Sequence, residues 1–299
     1  LSFIWLADRY DREPVKLLLV NFLWGAFGAI FFAIIGSLAL AYGFSFFVKD
    51  PERAKLFETV LIAPFVEEIT KGIFLVITAF NRKFDNVTDG LVFGGAIGLG
   101  FGMTENFFYF VSFAGGNSEF ATLVFIRTIF SAVMHCIATA SFGAFLGYAK
   151  FDRTYARYIL PFIGILTAML IHFIWNITIS FRATSGIGIY FMIAAISVFI
   201  SVFIAALAYE RKIIYLELAE ELNFIPLEHL TILSSGRRNK HGWVDERIRK
   251  DYIVAATSLA FRKAQFKKTI GYEREYYMRE IEKYRLRIKS LFDSIKPVI

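Results

Sequence analysis

Long apolar runs broken by short polar segments dominate the first two thirds of the chain. Predominantly apolar stretches occupy 17–48, 54–80, 87–113, 120–149, 155–181 and 185–209. Each reaches the ~20 residues a helix needs to cross a bilayer, so six spans are predicted. The opening "LSFIWL" reads as the end of one more, since no charged stretch of the signal-peptide kind precedes it. From residue 211 the pattern changes to helices broken near "NFIPLEH" and "SSGRRNKHG". There Ile248, Tyr252, Ala255, Leu259 and Phe266 follow 4-3 spacing with one polar gap at Arg262. Tyr277, Ile281, Tyr284, Ile288, Leu291 and Ile295 do the same. An antiparallel helical hairpin, or a homodimer contact through the tail, would bury both seams.

Composition agrees with a membrane protein: 57% of residues are hydrophobic and 35 are Phe, well above the apolar share of a soluble domain. The expected fold class is therefore all-α, a polytopic transmembrane helix bundle (1–210) with a helical C-terminal tail (211–299). Up to Glu210 there are 14 Lys and Arg against 14 Asp and Glu, and beyond it 19 against 12, so the net charge of +7 belongs to the tail. Arg9, Arg12 and Lys16, then Arg82 and Lys83, then Lys150, Arg153 and Arg157 alternate onto the same side as that tail. The positive-inside bias makes this side cytoplasmic and the protein a multi-pass component of the cell membrane. Lys49, Arg53 and Lys55 in the first outer loop weaken the bias. Basic tail residues are interleaved with Glu273, Glu275, Glu280 and Glu282, which disfavours a nucleic-acid partner and leaves the lipid bilayer as the expected surface contact. A single cysteine, Cys136, excludes an intrachain disulfide.

Polar groups inside the spans carry the candidate chemistry. "APFVEEITKG" places Glu67, Glu68 and Lys71 in five positions, and a charge at the centre of an inserting helix costs roughly 2.5–3.5 kcal/mol. Lys71 reaches Glu67 by an i,i+4 step or Glu68 by an i,i+3 step. One neutral pair still leaves an adjacent carboxylate pointing about 100° away around the helix. Glu105 and Asn106, His135, and His172 with Asn176 stand at membrane depth in three other spans. Intramembrane ionisable residues normally face inward and pair, so a single polar cavity is expected from Glu67, Glu68, Glu105, His135, His172 and Asn176. His172 and Asn176, one turn apart, are spaced to converge as donors on one oxygen. Gly90, Gly94, Gly98 and Gly102 recur every four residues and offer a face for close helix packing, with Glu105 on that face. For Arg127 snorkelling to the outer surface is favoured over pairing with a cavity carboxylate. Cys136 diverges from His135 around their shared helix and reads as apolar filler rather than a nucleophile.

Five segments together, "ADRYDREP", "PFVEEITKG", "DGLVFGGAIGLGFGMTENFFY", "HCIATASFGAFLGYA" and "IHFIWN", resemble the PrsW family of intramembrane proteases, within the wider superfamily of CAAX prenyl proteases and bacteriocin-processing enzymes. The resemblance runs from about Ala7 to Ser180; the tail lies outside it. It implies an intramembrane endopeptidase of glutamate type that hydrolyses peptide bonds of membrane-anchored proteins, for example anti-sigma factors. By that match Glu67, Glu68 and Lys71 form the Glu-Glu-x-x-Lys motif, Phe101 and Glu105 the second motif, and His135, His172 and Asn176 the later ones. Asp89 and Asn106 match supporting positions. Glu105 departs from the prenyl-protease branch, which carries His there. No cofactor is expected, because no compact His-Glu-x-x-His motif is present. Zinc held by Glu67, Glu105, His135 and His172 is the alternative that the ligand types permit. Two other functions use the same charges, a non-catalytic membrane scaffold and a proton-coupled transporter.

Overall fold

The computed structural model describes residues 1–295, and the last four residues of the predicted tail lie outside them. It is built from ten α-helices among the described residues, divided into two compact units: Leu1–Asp8 with Glu13–Phe203, and Arg9–Arg12 with Ile204–Ile299. The division falls inside one helix at 203/204, slightly before the 210/211 boundary read from charge.

The first unit opens with the short α1 (Ser2–Ala7), followed by α2 (Val15–Phe44). Next come α3 (51–79), α4 (Val87–Val111), α5 (Asn117–Ala149) and α6 (Ala156–Ser180). The last helix, α7 (Ser185–Ala219), runs from this unit into the next. Five of these, α2 and α4 to α7, are long and apolar enough to cross a membrane. The sixth predicted span is a continuous helical run at α3, but Glu52, Arg53, Lys55, Glu58, Glu67, Glu68 and Lys71 keep it from qualifying on apolarity. Exposed Phe27, Phe31, Phe162 and Ile204 lie on outward faces, as lipid contact requires.

Local chemistry fixes the helix starts. Asp50 caps α3 by accepting from the Arg53 amide at 2.8 Å, with Pro51 in the first turn. Asn86 and Asp89 form a reciprocal capping box at the start of α4. α4 is the most buried helix of the unit. Its glycine stripe lies against the backbone of α5: a Cβ at Gly90, Gly94 or Gly98 would overlap the carbonyls of Gly143, Thr139 or His135, respectively. The pairings step down one helix as they step up the other, so α4 and α5 are antiparallel and locked in register. On another side of α4, Gly100 meets the Phe22 carbonyl of α2. The Trp24 indole then ties α2 to α3 through the Thr70 carbonyl at 3.1 Å and by stacking on Phe74.

α2, α3 and α5 each contain one π turn, at Trp24–Ala29, Glu58–Ile62 and Arg127–Ser131. The turn in α3 has a visible cause. Pro64 has no N–H, so a carbonyl about one turn earlier loses its helical partner, and the Thr59 carbonyl accepts instead from Asn176 Nδ2 of α6 at 2.8 Å.

The second unit holds the end of α7, α8 (Leu227–Leu233), α9 (Arg249–Lys268) and α10 (Gly271–Ser294). Gly271, at φ +59°, allows the tight turn between α9 and α10. These two form an antiparallel hairpin, with Tyr252 against Phe292 and Arg262 over Tyr277. Leu218, Leu230, Leu259, Ile281 and Ile288 share its core, so both apolar seams are consumed within one chain. Arg262, the polar gap in the first seam, is buried and bonds Gln265 at 2.6 Å.

Candidate active site

Four helices of the first unit bring their ionisable groups together. α3 supplies Glu67, Glu68 and Lys71, α4 supplies Glu105 and Asn106, α5 supplies Arg127 and His135, and α6 supplies His172 and Asn176. A cavity of about 410 Å³ is lined by Glu67, Glu105, Arg127, His135, His172 and Asn176 among other residues. Glu68 and Lys71 lie behind that lining.

Lys71 is fully buried and resolves the choice that its spacing left open. Its ammonium donates to Glu68 Oε1 at 2.6 Å and to His135 Nδ1 at 3.0 Å, and sits 4.1 Å over the Phe101 ring. Glu67 Oε2 is 3.7 Å away. Glu68, also buried, has its oxygens taken: Oε1 by Lys71 and by His172 Nδ1 at 3.0 Å, Oε2 by the Thr139 hydroxyl at 3.3 Å. Every partner of Glu68 is a donor, so this carboxylate works as a brace.

The partners also assign the imidazole tautomers. A carboxylate cannot donate, so His172 Nδ1 carries the proton toward Glu68 and leaves Nε2 with a free lone pair, 3.9 Å from Glu67 Oε2. An ammonium cannot accept, so His135 Nδ1 receives from Lys71, and its Nε2–H donates to Glu105 Oε2 at 2.8 Å. The two rings meet edge to face, with centroids 4.8 Å apart.

Glu67 differs from its neighbours. Its Oε2 is buried without a hydrogen bond, while the side chain reaches the cavity with 12% exposure. Three carboxylates (Glu67, Glu68, Glu105) face two cations (Lys71, Arg127), leaving one negative charge unmatched, and the geometry puts it on Glu67. A buried, unbonded carboxylate oxygen is costly to maintain, and it seeks a proton, a water or a cation.

Four expectations need correction. Arg127 does not snorkel: it is buried, donates to Glu105 Oε2 at 2.7 Å and to Asn106 Oδ1 at 3.0 Å, and stacks 3.4 Å from the Tyr109 ring. Asp89 is no part of the site. It caps α4 by accepting from the amides of Asp85 and Asn86, and 16 residues of helix put it about 24 Å from Glu105. Asn176 lines the cavity, yet its amide is given to Thr59 rather than converging with His172 on one oxygen, since His172 turns Nδ1–H to Glu68. Finally, a metal cluster of four is not formed. Glu67, His135 and His172 offer ligand atoms within 4.8 Å of one another, while Glu105 is held by Arg127 and His135.

Two of those three fit a divalent ion as they stand, whereas His135 has both ring nitrogens engaged, by Lys71 and by Glu105. The unbonded Glu67 Oε2 and the free His172 Nε2 face each other, and the Glu68 hydrogen bond to His172 Nδ1 is the outer carboxylate that orients a ligating imidazole.

Comparison with known proteins places the site in context. A family model described as PrsW family intramembrane metalloprotease matches residues 13–206. The protease PrsW of Bacillus subtilis is 30% identical over 176 residues, covering 58% of this chain and 73% of its own length. That of Oceanobacillus iheyensis is 28% identical over 178 residues, covering 59% and 75%, and that of Geobacillus kaustophilus 28% over 169 residues, covering 54% and 69%. No solved structure matches.

Proposed function

Because the chain belongs to the PrsW family of intramembrane proteases, we propose that it cleaves peptide bonds of membrane-anchored proteins with Glu67 as the base that activates water. The observation that carries this reading is the unbonded, buried Glu67 Oε2 beside the lone pair of His172 Nε2 in a cavity at membrane depth. By the charge bias of the loops, the second unit stays on the cytoplasmic side.

A peptide carbonyl entering the cavity meets water held between Glu67 and the imidazoles. Glu67 takes a proton as the water attacks, and returns it to the leaving amine when the C–N bond breaks. Glu68 and Lys71 hold His172 and His135 in single tautomers, so neither ring must reorient during the reaction. Glu105 fixes the Nε2–H of His135. Glu67 and His172 would hold a divalent ion, with His135 joining them only if it gave up its hydrogen bond with Lys71 or Glu105, and the ion would supply Lewis acidity toward the carbonyl and a lowered pKa of water. A carboxylate has two oxygens, so Glu67 can hold an ion through one and accept a proton through the other.

The test uses the full chain in proteoliposomes with a single-span reporter peptide, the best-cleaved member of a varied library. Glu67→Gln should slow cleavage by roughly 100- to 10,000-fold with thermal stability unchanged or raised, because an unmatched buried charge is removed. Cleavage at the wild-type rate would discard glutamate-activated hydrolysis.

A further inference from the structure

Arg127 stands in the cavity wall with no role in the chemistry described so far. Sequence spacing hides its position. Eight residues separate it from His135, and at about 100° per residue they should diverge by roughly 80° around a regular helix. The π turn at Arg127–Ser131 lies between them. A π turn takes up one extra residue, so eight steps act as about seven, and the two side chains return to within roughly 20° of one face. Both then reach the same atom: Glu105 Oε2 accepts from Arg127 Nη2 at 2.7 Å and from His135 Nε2 at 2.8 Å.

Arg127 is itself held rigid by one turn of α4. Asn106 Oδ1 accepts from its Nε at 3.0 Å, Asn106 Nδ2 donates to its backbone carbonyl at 3.0 Å, and the Tyr109 ring covers its guanidinium. A structural staple is not what this position needs. α4 and α5 are already registered along several turns by glycine contacts, and an apolar residue would join them without the cost of taking a guanidinium out of water.

We infer that Arg127 is a positioning residue for the hydrolysis: clamped by Asn106 and Tyr109, it fixes Glu105 so that this carboxylate holds His135 beside Glu67. The inference rests on the reading of Glu67 as base and adds a line of force, Arg127 to Glu105 to His135, beside the hold of Glu68 on His172. His135 is thus braced from both ring nitrogens, by Lys71 on one and by the Glu105–Arg127 pair on the other.

In the proteoliposome assay, Arg127→Gln should lower kcat by roughly 10- to 100-fold, the usual effect of losing an outer partner, with KM for the reporter peptide changed less than about 2-fold. Introduced into Glu105→Gln, the same change should add less than about 2-fold, because residues acting in series do not add. Arg127→Lys, which keeps the charge and the fold but cannot reach Glu105 and Asn106 together, should fall between. Ring ¹⁵N and N–H resonances of the chain's four histidines give a readout independent of cleavage: Lys71 keeps His135 in the Nε2–H tautomer throughout, but its Nε2–H signal should shift and broaden in Arg127→Gln, as Glu105 loses its fixed position, and stay near wild type in Arg127→Lys. Full additivity with Glu105→Gln, or an unchanged His135 Nε2–H signal in Arg127→Gln, overturns the inference while leaving Glu67 as base intact. Wild-type cleavage by Glu67→Gln would instead remove the reading beneath it.

Discussion

Two charge clusters, one in each unit, use the same residue types to opposite ends. In the second unit, Glu217, Glu220 and Glu221 meet Lys263, Lys267 and Arg285. Arg285 grips Glu221 with two hydrogen bonds at 2.7 and 2.9 Å, Lys263 reaches the same carboxylate at 2.6 Å, and Lys267 takes Glu217 at 2.7 Å and Glu220 at 2.8 Å. Three carboxylates face three cations. In the first unit three carboxylates face two cations, and the remaining Glu67 oxygen finds Lys71 only at 3.7 Å and His172 at 3.9 Å. The matched cluster is a fastener, complete within the chain. The cluster one cation short is complete only with something from outside, which is what the proposed role of Glu67 as base requires.

The strongest way to break this comparison is to widen the shortfall. Lys71→Met leaves three carboxylates against Arg127 alone and strips Glu68, 1% exposed, of its 2.6 Å partner. Removing one partner of a buried pair costs about 3–5 kcal/mol, and His135 loses the donor to its Nδ1 as well. Thermal unfolding of the full chain in nanodiscs should show the loss, and cleavage should vanish with it. A variant that melts within a degree or two of wild type would mean that the polar core is wetter and more forgiving than its hydrogen bonds imply.

Next in size is the matched cluster. Glu221→Gln should loosen the second unit by about 2 kcal/mol, below the fully buried case because Arg285 is a third exposed. It should leave cleavage unchanged. Burial alone would raise the Glu221 carboxyl, but the Arg285 and Lys263 hydrogen bonds outweigh it and hold its pKa below the ordinary glutamate value. A depressed folded-state pKa contributes stability that is present above the unfolded value near 4.3 and is lost as pH falls through the folded one. Protection of α9 and α10 against hydrogen exchange, taken relative to intrinsic exchange at each pH, should therefore fall as pH drops below about 4, and Glu221→Gln should flatten that dependence.

The two clusters were unequally legible in the sequence. Glu67, Glu68, Glu105, His135 and His172 stand out because each is expensive in an apolar span, and the four-residue glycine period announces how α4 meets α5. Arg127 was misjudged for a physical reason: a π turn shifts phase by about 100° without leaving a mark in hydrophobic periodicity. The same holds for Asn176, whose partner is a backbone carbonyl released by Pro64, a relation between helices 117 residues apart. Asp89 failed in the other direction. The family resemblance alone suggested it as a supporting position, whereas "DNVTD" carries its capping box with Asn86 in plain view. In the tail, nothing local to Glu217, Glu220 and Glu221 reveals that α9 and α10 bring three cations to them.

The smallest effect sharpens what separates a fastener from a decoration. Arg287 and Asp251 join α10 to α9 at 2.8 Å, within the range of the matched cluster, yet the two side chains are 56% and 60% exposed. Water and salt compete for both charges, and holding two long side chains in one geometry costs entropy, so such pairs contribute about 0–0.5 kcal/mol. Arg287→Ala should leave hydrogen exchange in the hairpin within about 0.5 kcal/mol of wild type and insensitive to added salt. A loss matching that of Glu221→Gln would show that distance rather than burial sets the value of these pairs, and the contrast between the two clusters would then have to be argued from charge count alone.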